Sequence, residues 1–187
     1  MSDFDFEFKR QLIHGLVGTC IAVAVWYLKP TYGRIIVLPL LLAVAVFYAI
    51  PKIGVNLHIH NFLIEKYERE KDKATLPYRG SIYYALGVAP AVFALPVELA
   101  CAVVMTLSVG DAVSTIVGVK YGRVQISDKT LEGFIAFILV GVPAAALFAS
   151  VPQAFMLAGV GAFIELFSPW DDNLAIPWIL TPLAFIL

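Results

Sequence analysis

The sequence has little charge of either sign and too few polar residues for a water-soluble domain. Of its 187 residues, 14% are charged and 60% are hydrophobic, and the formal net charge is −1. A soluble domain averages about 25% charged and about 45–50% apolar residues. The mean hydropathy is +0.86. We therefore interpret the chain as an integral membrane protein, and without a basic segment we expect no nucleic-acid partner.

The sequence also lacks the cysteine spacing of a metal or disulfide site and the pattern of a signal-peptide cleavage site. Cys20 and Cys101 both fall in apolar runs and have neither metal-ligand nor disulfide spacing. The opening MSDFDFEFKR is acidic before it is basic, and no small-residue cleavage site follows the first apolar run. We expect no cleaved signal peptide from this pattern.

Apolar runs, separated by charged residues, proline or glycine, recur along the chain. A helix needs about 20 residues to cross the hydrocarbon core, and several runs are shorter than that. The pattern predicts an all-α fold, a polytopic membrane bundle of about seven transmembrane helices in a single domain, 1–187. The polar run EKYEREKDK in the connection 51–79 predicts a solvated helix. The predicted spans are 11–28, 33–50, 80–95, 97–119, 133–149, 151–168 and 174–187.

The basic residues lie mostly on one side of the predicted membrane. With the N-terminus in the cytoplasm, that side holds eleven of the 13 Lys and Arg residues, and the other side holds Lys29 and Arg34. Because cytoplasmic loops are enriched in Lys and Arg, this asymmetry predicts a cytoplasmic N-terminus. Under this topology most of the polar residues in or beside the spans lie near the cytoplasmic face.

Asp111 is the most informative of these polar residues, because it lies in an apolar, small-residue span. A carboxylate there costs about 2.5–3.5 kcal/mol near mid-membrane. Ser108, Ser114, Thr115 and Gly118 share its helix face, and a small polar face is also typical of helix packing. Packing explains those four residues but not the carboxylate, so we predict a functional role for Asp111.

Other polar residues have a structural alternative beside the functional one. His14 shares a helix face with a basic residue and a glycine, and it is a candidate catalytic residue or a packing residue. Glu165 lies at the end of the sixth span. It is either a functional group or an end residue whose carboxylate reaches to water. Asp172 and Asn173 follow it in the inner loop.

The segment ISDKTLEG, residues 126–133, has the pattern of a helix N-terminus. Thr130 is the predicted N-cap. A helix start presents free backbone N–H groups that suit a phosphate, and Lys129 adds a positive charge. The glycine spacing is not that of a P-loop. Because acidic residues suit Mg²⁺, the segment and the acidic residues together indicate nucleoside triphosphate chemistry at the inner face.

Four stretches in this order resemble the polyprenol kinase family, which includes dolichol kinase, phytol kinase and the CTP-dependent diacylglycerol kinase. They are FKRQLIHGLVG, YRGSIYYALGV, GDAVSTIVGVKYGRVQISDKTLEGFIAF and ELFSPWDDNLAIP, and they span residues 8 to 177. The resemblance implies a membrane-embedded kinase that transfers phosphate from CTP to a long-chain isoprenoid (polyprenol, dolichol or phytol-like) or related lipid alcohol, with Mg²⁺ as cofactor. The resemblance does not distinguish among these lipid acceptors. Both a monomer and a homodimer are compatible with the sequence.

The mechanism we predict is direct in-line transfer of the γ-phosphoryl group to the lipid hydroxyl. Asp111 holds Mg²⁺ or accepts the hydroxyl proton, and Lys129 with the helix start at Thr130 holds the triphosphate. The predicted catalytic residues are Asp111, Lys129 and His14. The resemblance associates the loop from Lys120 to Gly133 with CTP. The predicted nucleotide contacts are Arg79, Lys120, Arg123, Lys129, Thr130, Glu132, Gly133 and Asn173, and the predicted metal ligands are Asp111, Glu132, Glu165 and Asp172.

Two other functions are alternatives to the kinase. A CTP:lipid-phosphate cytidylyltransferase uses the same donor and releases pyrophosphate instead of CDP. A small membrane transporter could relay ions through Asp111 and His14. A transporter should place polar groups through the whole membrane depth. The predicted clustering at one face counts against it.

Overall fold

The computed structural model describes residues 3–53, 58–68 and 70–187, and within them the fold is all-α apart from one small hairpin. A 3₁₀ turn (Gly33–Ile36) joins α1 to α2, and a π-helical turn (Thr106–Asp111) joins α6 to α7. The hairpin pairs β1 (Gln125–Ile126) with β2 (Lys129–Thr130) in antiparallel register. The helices are α1 (Asp3–Tyr32), α2 (Val37–Ile53), α3 (His58–Tyr67), α4 (Glu70–Thr75), α5 (Arg79–Ala94), α6 (Val97–Met105), α7 (Ala112–Tyr121), α8 (Leu131–Ala146), α9 (Val151–Phe167) and α10 (Asp172–Ala184).

Seven long helical units in the described part of the chain coincide with the seven predicted spans, counting α6, the π turn and α7 as one. The all-α prediction is confirmed. Two stretches, Phe4–Ile53 and Val97–Tyr121, are long and apolar enough to cross a membrane by length and composition. Two such stretches are weak support for a membrane location, because a buried core helix passes the same test. The number of spans stays a prediction.

The core is rich in small side chains, and many large apolar side chains lie on the outside. The unit of α6 and the π turn lies in the middle and contacts α1, α5, α8, α9 and α10. Residues 100–104, with the sequence ACAVV, are completely buried. Large apolar residues such as Leu42, Leu139 and Phe163 are more than half exposed. Small residues let helix backbones approach closely, which is the packing used between helices in lipid.

The π turn depends on the close approach of neighbouring helices. A Cβ atom at Gly110 would lie 2.7 Å from the ring of Phe137, and one at Gly18 would lie 2.0 Å from the hydroxyl oxygen of Ser108. Both glycines therefore allow α8 and α1 to pack directly against the turn. A π turn inserts an extra residue into the helical repeat and recurs at functional sites. Here it ends at Asp111.

The start of α8 has the cap predicted from the sequence. The backbone N–H of Gly133 donates to Thr130 Oγ1 at 3.1 Å, so Thr130 is the N-cap. The N–H of Leu131 donates to the carbonyl of Val124 at 2.9 Å and closes the hairpin loop. Ser127 has φ +57°, which turns the chain between the two strands. The hairpin itself was not predicted, because two-residue strands leave no periodic pattern.

The polar connection is helical, as predicted, but it forms two short helices instead of one. Helix α3 ends at Tyr67 and α4 begins at Glu70. Arg69, which belongs to the predicted charge run, lies outside the described residues. Asp72 is buried and lies 3.5 Å from Arg79 Nη1 at the start of α5. This ion pair connects the end of the polar segment to the helix that follows it.

Candidate functional site

Three carboxylates from distant parts of the chain meet inside the helix bundle. Asp111 comes from the π turn, Glu165 from the last turn of α9 and Asp172 from the first turn of α10. One oxygen from each lies within 4.8 Å of the others, and Asp111 and Glu165 are only 6% and 3% exposed. Buried carboxylates this close repel one another unless a cation or a proton compensates. The cluster therefore has the composition of a group that could hold a hard divalent cation.

Lys129 places its ammonium group against this cluster. Its Nζ donates to Glu165 Oε1 and to Asp172 Oδ2, at 2.7 Å in both cases. Burial lowers the pKa of Lys129, but the carboxylates of Asp111, Asp172 and Glu165 outweigh it and raise the pKa above its usual value. Lys129 is therefore charged at neutral pH. The hairpin explains how a loop residue reaches the site, since β2 holds it directly before α8.

His14 from α1 and Ser114 from α7 lie beside the carboxylates. His14 Nε2 lies 3.6 Å from Asp111 Oδ2, and its ring contacts the Tyr84 ring edge-on at 5.2 Å between centroids. Ser114 Oγ lies 3.0 Å from the backbone oxygen of Asp111 and 3.2 Å from Glu165 Oε1. His14 and Asp111, both predicted as catalytic residues, therefore lie side by side in the folded chain.

Several buried polar atoms at or beside the site have no hydrogen-bond partner among the described residues. They include His14 Nε2, Glu165 Oε2, Asn173 Oδ1 and Arg79 Nε. Buried polar groups are nearly always hydrogen-bonded, and leaving one unpaired costs about 1–3 kcal/mol. The free carboxylate oxygen of Glu165 supports a cation site in particular, because that side chain is almost fully buried.

Arg79 lies beside the site at the start of α5, and its ion pairs among the described residues are with Asp72 and Asp171. Its Nε lies 3.7 Å from Asp171 Oδ2, and Asp171 caps α10 by accepting from the N–H of Asn173 at 3.2 Å. A Cβ atom at Gly87 would lie 1.9 Å from the Asn173 carbonyl oxygen. Gly87 therefore lets α5 pack against the start of α10, a positioning role that the sequence reasoning missed.

A second group of predicted nucleotide contacts lines a groove of about 390 Å³ beside α7 and α8. Its walls include Lys120, Arg123 and Glu132. Glu132 accepts from the N–H of Val124 at 3.3 Å on both carboxylate oxygens. N–H groups of Glu132 itself, Arg123 and Val124 hold the pKa of this carboxyl below its usual value. Glu132 thus closes the loop. It was predicted as a metal ligand, but its carboxylate bonds the loop backbone and is not part of the cluster of Asp111, Glu165 and Asp172.

Glycines account for the close packing of α7 against α8 beside this groove. A Cβ atom at Gly133 would lie 2.9 Å from the Ser114 carbonyl oxygen, and one at Gly122 would lie 2.5 Å from Thr130. Gly133 was predicted as a nucleotide contact, and it also positions the cap. In the sequence, the spacing of four residues between Gly118 and Gly122 is the pattern that indicates close packing of α7 against a neighbour.

Comparison of the chain with protein-family models, with curated proteins and with solved structures found no match. The resemblance to polyprenol kinases therefore stays a prediction.

Proposed function

We propose that the protein is a CTP-dependent kinase that phosphorylates a long-chain isoprenoid or related lipid alcohol at the cytoplasmic face of a membrane. The observation that carries this proposal is the meeting of Asp111, Glu165 and Asp172 around the ammonium group of Lys129. These residues come from two of the four motif stretches. The other two stretches contribute His14, beside Asp111, and Arg79, beside Asp171.

The membrane environment is part of the proposal: all seven long helical units span the bilayer. The support is the distribution of side chains, because many small residues are buried and many large leucine and phenylalanine side chains are exposed. A soluble protein rarely leaves so much large apolar surface exposed. With the N-terminus in the cytoplasm, the cluster around Asp111 lies in the cytoplasmic half of the bundle, where a water-soluble nucleotide can reach it.

The residues of the cluster fit Mg²⁺, the metal that the proposed reaction needs. Asp111, Glu165 and Asp172 supply three hard oxygen ligands, and Glu165 Oε2 has no other partner. When bound there, the metal neutralises phosphate charge that develops during transfer. Glu132 is left out of this set because its carboxylate already accepts hydrogen bonds from the loop backbone.

The phosphate-binding part of the proposal rests on Lys129 and the N-terminus of α8. Helix α8 begins directly after Lys129 and Thr130, so the positive end of its dipole lies close in sequence to Lys129. The N–H groups of Leu131 and Gly133 already donate to Val124 and Thr130, so the helix contributes its dipole rather than these two N–H groups. The groove lined by Lys120 and Arg123 adds two cations on the adjoining surface. Phosphoryl transfer depends mainly on positioning and charge neutralisation, which these groups supply.

In the proposed reaction the lipid hydroxyl loses a proton as it attacks the γ-phosphorus, and His14, supported by Asp111, is the proposed acceptor. His14 Nε2 lies 3.6 Å from Asp111 Oδ2 and has no hydrogen-bond partner among the described residues. The imidazole can therefore act as a base or hold the carboxylate in place. The lipid tail would lie between helices in the apolar part of the bundle.

The test is to follow each phosphate of CTP separately. Purified protein in detergent micelles is incubated with Mg²⁺ and with CTP labelled at either the α or the γ position. The acceptors are a panel of polyprenols, phytol and diacylglycerol, and, in separate reactions, the corresponding lipid phosphates. We expect the γ-label to appear in the lipid fraction and CDP in the aqueous phase. If the α-label reaches a lipid phosphate and pyrophosphate is released, the cytidylyltransferase replaces the kinase. If neither label reaches any lipid, the proposed enzyme class is wrong.

A further inference from the structure

The ammonium group of Lys129 binds two of the three carboxylates that would hold a divalent cation at this site. Nζ lies 2.7 Å from Glu165 Oε1 and 2.7 Å from Asp172 Oδ2. These two residues make up two thirds of the carboxylate cluster, whose ligand atoms lie within 4.8 Å of one another. Lys129 therefore supplies a positive charge that partly compensates the buried carboxylates.

A Mg²⁺ ion at this site would compete with the observed position of the Lys129 ammonium group. Mg²⁺ binds oxygen at about 2.0–2.1 Å, so the metal would lie within about 5 Å of Nζ when both share one carboxylate oxygen. The two cations would repel each other in a site where burial weakens dielectric screening. Lys129 has a flexible four-carbon stem and is 31% exposed at its side chain, so it has space to withdraw.

The carboxylates have capacity that Lys129 does not use. Glu165 Oε2 is buried and has no hydrogen-bond partner among the described residues, although Oε1 of the same group accepts from Lys129. One ammonium group also leaves three carboxylates incompletely neutralised. The cluster is therefore suited to a cation of higher charge than Lys129 provides.

We propose that Lys129 is an internal counter-ion that occupies the carboxylate site before metal binding and is displaced by the divalent cation, after which its ammonium group is free to contact the nucleotide phosphates. This inference rests on the proposed function. It makes metal binding and nucleotide binding mutually favourable. The phosphates provide a partner for Lys129 when the metal displaces it, and the metal provides a partner for the carboxylates when Lys129 moves to the phosphates. Metal alone then binds weakly, and the complete site assembles when CTP is present.

The first test measures binding of Mn²⁺ alone, by electron paramagnetic resonance, to the full-length protein in micelles. Lys129→Met keeps the apolar stem and removes the competing charge, so we expect it to bind Mn²⁺ at least tenfold more tightly than the wild type. Lys129→Arg keeps the charge and should stay within threefold of the wild type. Lys9→Met, which removes an exposed lysine from α1, is the matched control and should change nothing.

The second test uses the wild-type protein, so it does not depend on the folding of a variant. The rate at which Lys129 reacts with an acylating reagent is measured by mass spectrometry with and without Mg²⁺, in the absence of nucleotide. We expect saturating Mg²⁺ to accelerate acylation of Lys129 several-fold, because the amine loses its two carboxylate partners. The rate at Lys9 should stay constant.

The outcomes separate this inference from the proposed function. If wild type and Lys129→Met bind Mn²⁺ with equal affinity, or if Mg²⁺ binds without changing the acylation of Lys129, the counter-ion role is wrong and the metal site stands. If neither the wild type nor any Lys129 variant binds Mn²⁺ at millimolar concentration, the metal-dependent function fails together with the inference.

Discussion

The hydroxyl oxygen of Ser114 lies 3.2 Å from Glu165 Oε1, which joins α7 to the end of α9 across 51 residues of sequence. The same hydroxyl lies 3.0 Å from the backbone oxygen of Asp111, at the end of the π turn. Ser114 therefore ties the turn that carries one carboxylate to the helix that carries another. Glu165, 3% exposed, is not an end residue reaching to water but an inward-facing member of the cluster.

Removing the charge of Asp111 tests whether its carboxylate takes part in the reaction. Asp111→Asn keeps the size of the side chain and relieves repulsion in the cluster, so we expect the protein to fold with an unchanged or slightly higher melting temperature. Transfer of γ-label from CTP to lipid should fall by roughly 10²–10⁴-fold, the range for loss of an acid–base group. Asp128→Asn, in the exposed hairpin, is the matched control. Near-normal turnover in Asp111→Asn would return this residue to helix packing.

The contact between α1 and the π turn predicts a strong effect of substitution at Gly18. A side chain there would meet Ser108 Oγ at 2.0 Å and the Tyr84 hydroxyl at 2.6 Å. We expect Gly18→Val to destabilise the protein by about 1–3 kcal/mol through overpacking, measured by thermal unfolding in micelles. It should also separate His14 from Asp111 and reduce activity.

The control for Gly18 is Gly159 in α9, where a Cβ atom would meet nothing within 4 Å. Gly159→Ala should leave stability unchanged or raise it by up to about 1 kcal/mol, because alanine is the better helix former. Equal effects at the two glycines would contradict the packing argument.

Metal binding should depend on pH through Asp172, which precedes the apolar segment 174–187. Burial and then the Asp111 carboxylate raise the pKa of Asp172 to about 7, against the lowering effect of Lys129. A metal needs the ionised carboxylate, so protons compete with it below this pKa. We therefore expect Mn²⁺ affinity to rise from about pH 6 to about pH 8. Asp172→Asn should bind more weakly and show a flatter pH profile, and an unchanged profile would exclude Asp172 as a ligand.

The topology can be tested by labelling single cysteines in intact cells, after replacement of Cys20 and Cys101 by alanine. Asp128→Cys should be protected from a membrane-impermeant thiol reagent, whereas Tyr32→Cys should react. The reason is the concentration of Lys and Arg on the side that holds residue 128. Labelling of residue 128 from outside would contradict the cytoplasmic location of the nucleotide site.

The sequence was sufficient for the helices and for the identity of most polar residues at the site. Seven apolar runs predicted seven long helical units in the described chain, because apolar composition and breaks at charged residues, proline and glycine are local properties. The N-cap at Thr130 was equally local, since it depends on one hydroxyl and the helix that follows it. Asp111 stood out because a carboxylate in an apolar run has few structural explanations.

Which of these residues touch was decided by the tertiary structure. The sequence proposed Glu132 and Glu165 alike as metal ligands, but Glu132 bonds the loop backbone while Glu165 lies in the cluster. Lys129 was expected to contact phosphate, yet its ammonium group lies between two carboxylates. These contacts depend on helix–helix distances set by buried glycines and by a π turn, where an inserted residue changes the direction of every later side chain. Such geometry leaves little periodic trace in the sequence, so the chain alone determined the helices and the chemistry available, and packing alone determined which groups form the site.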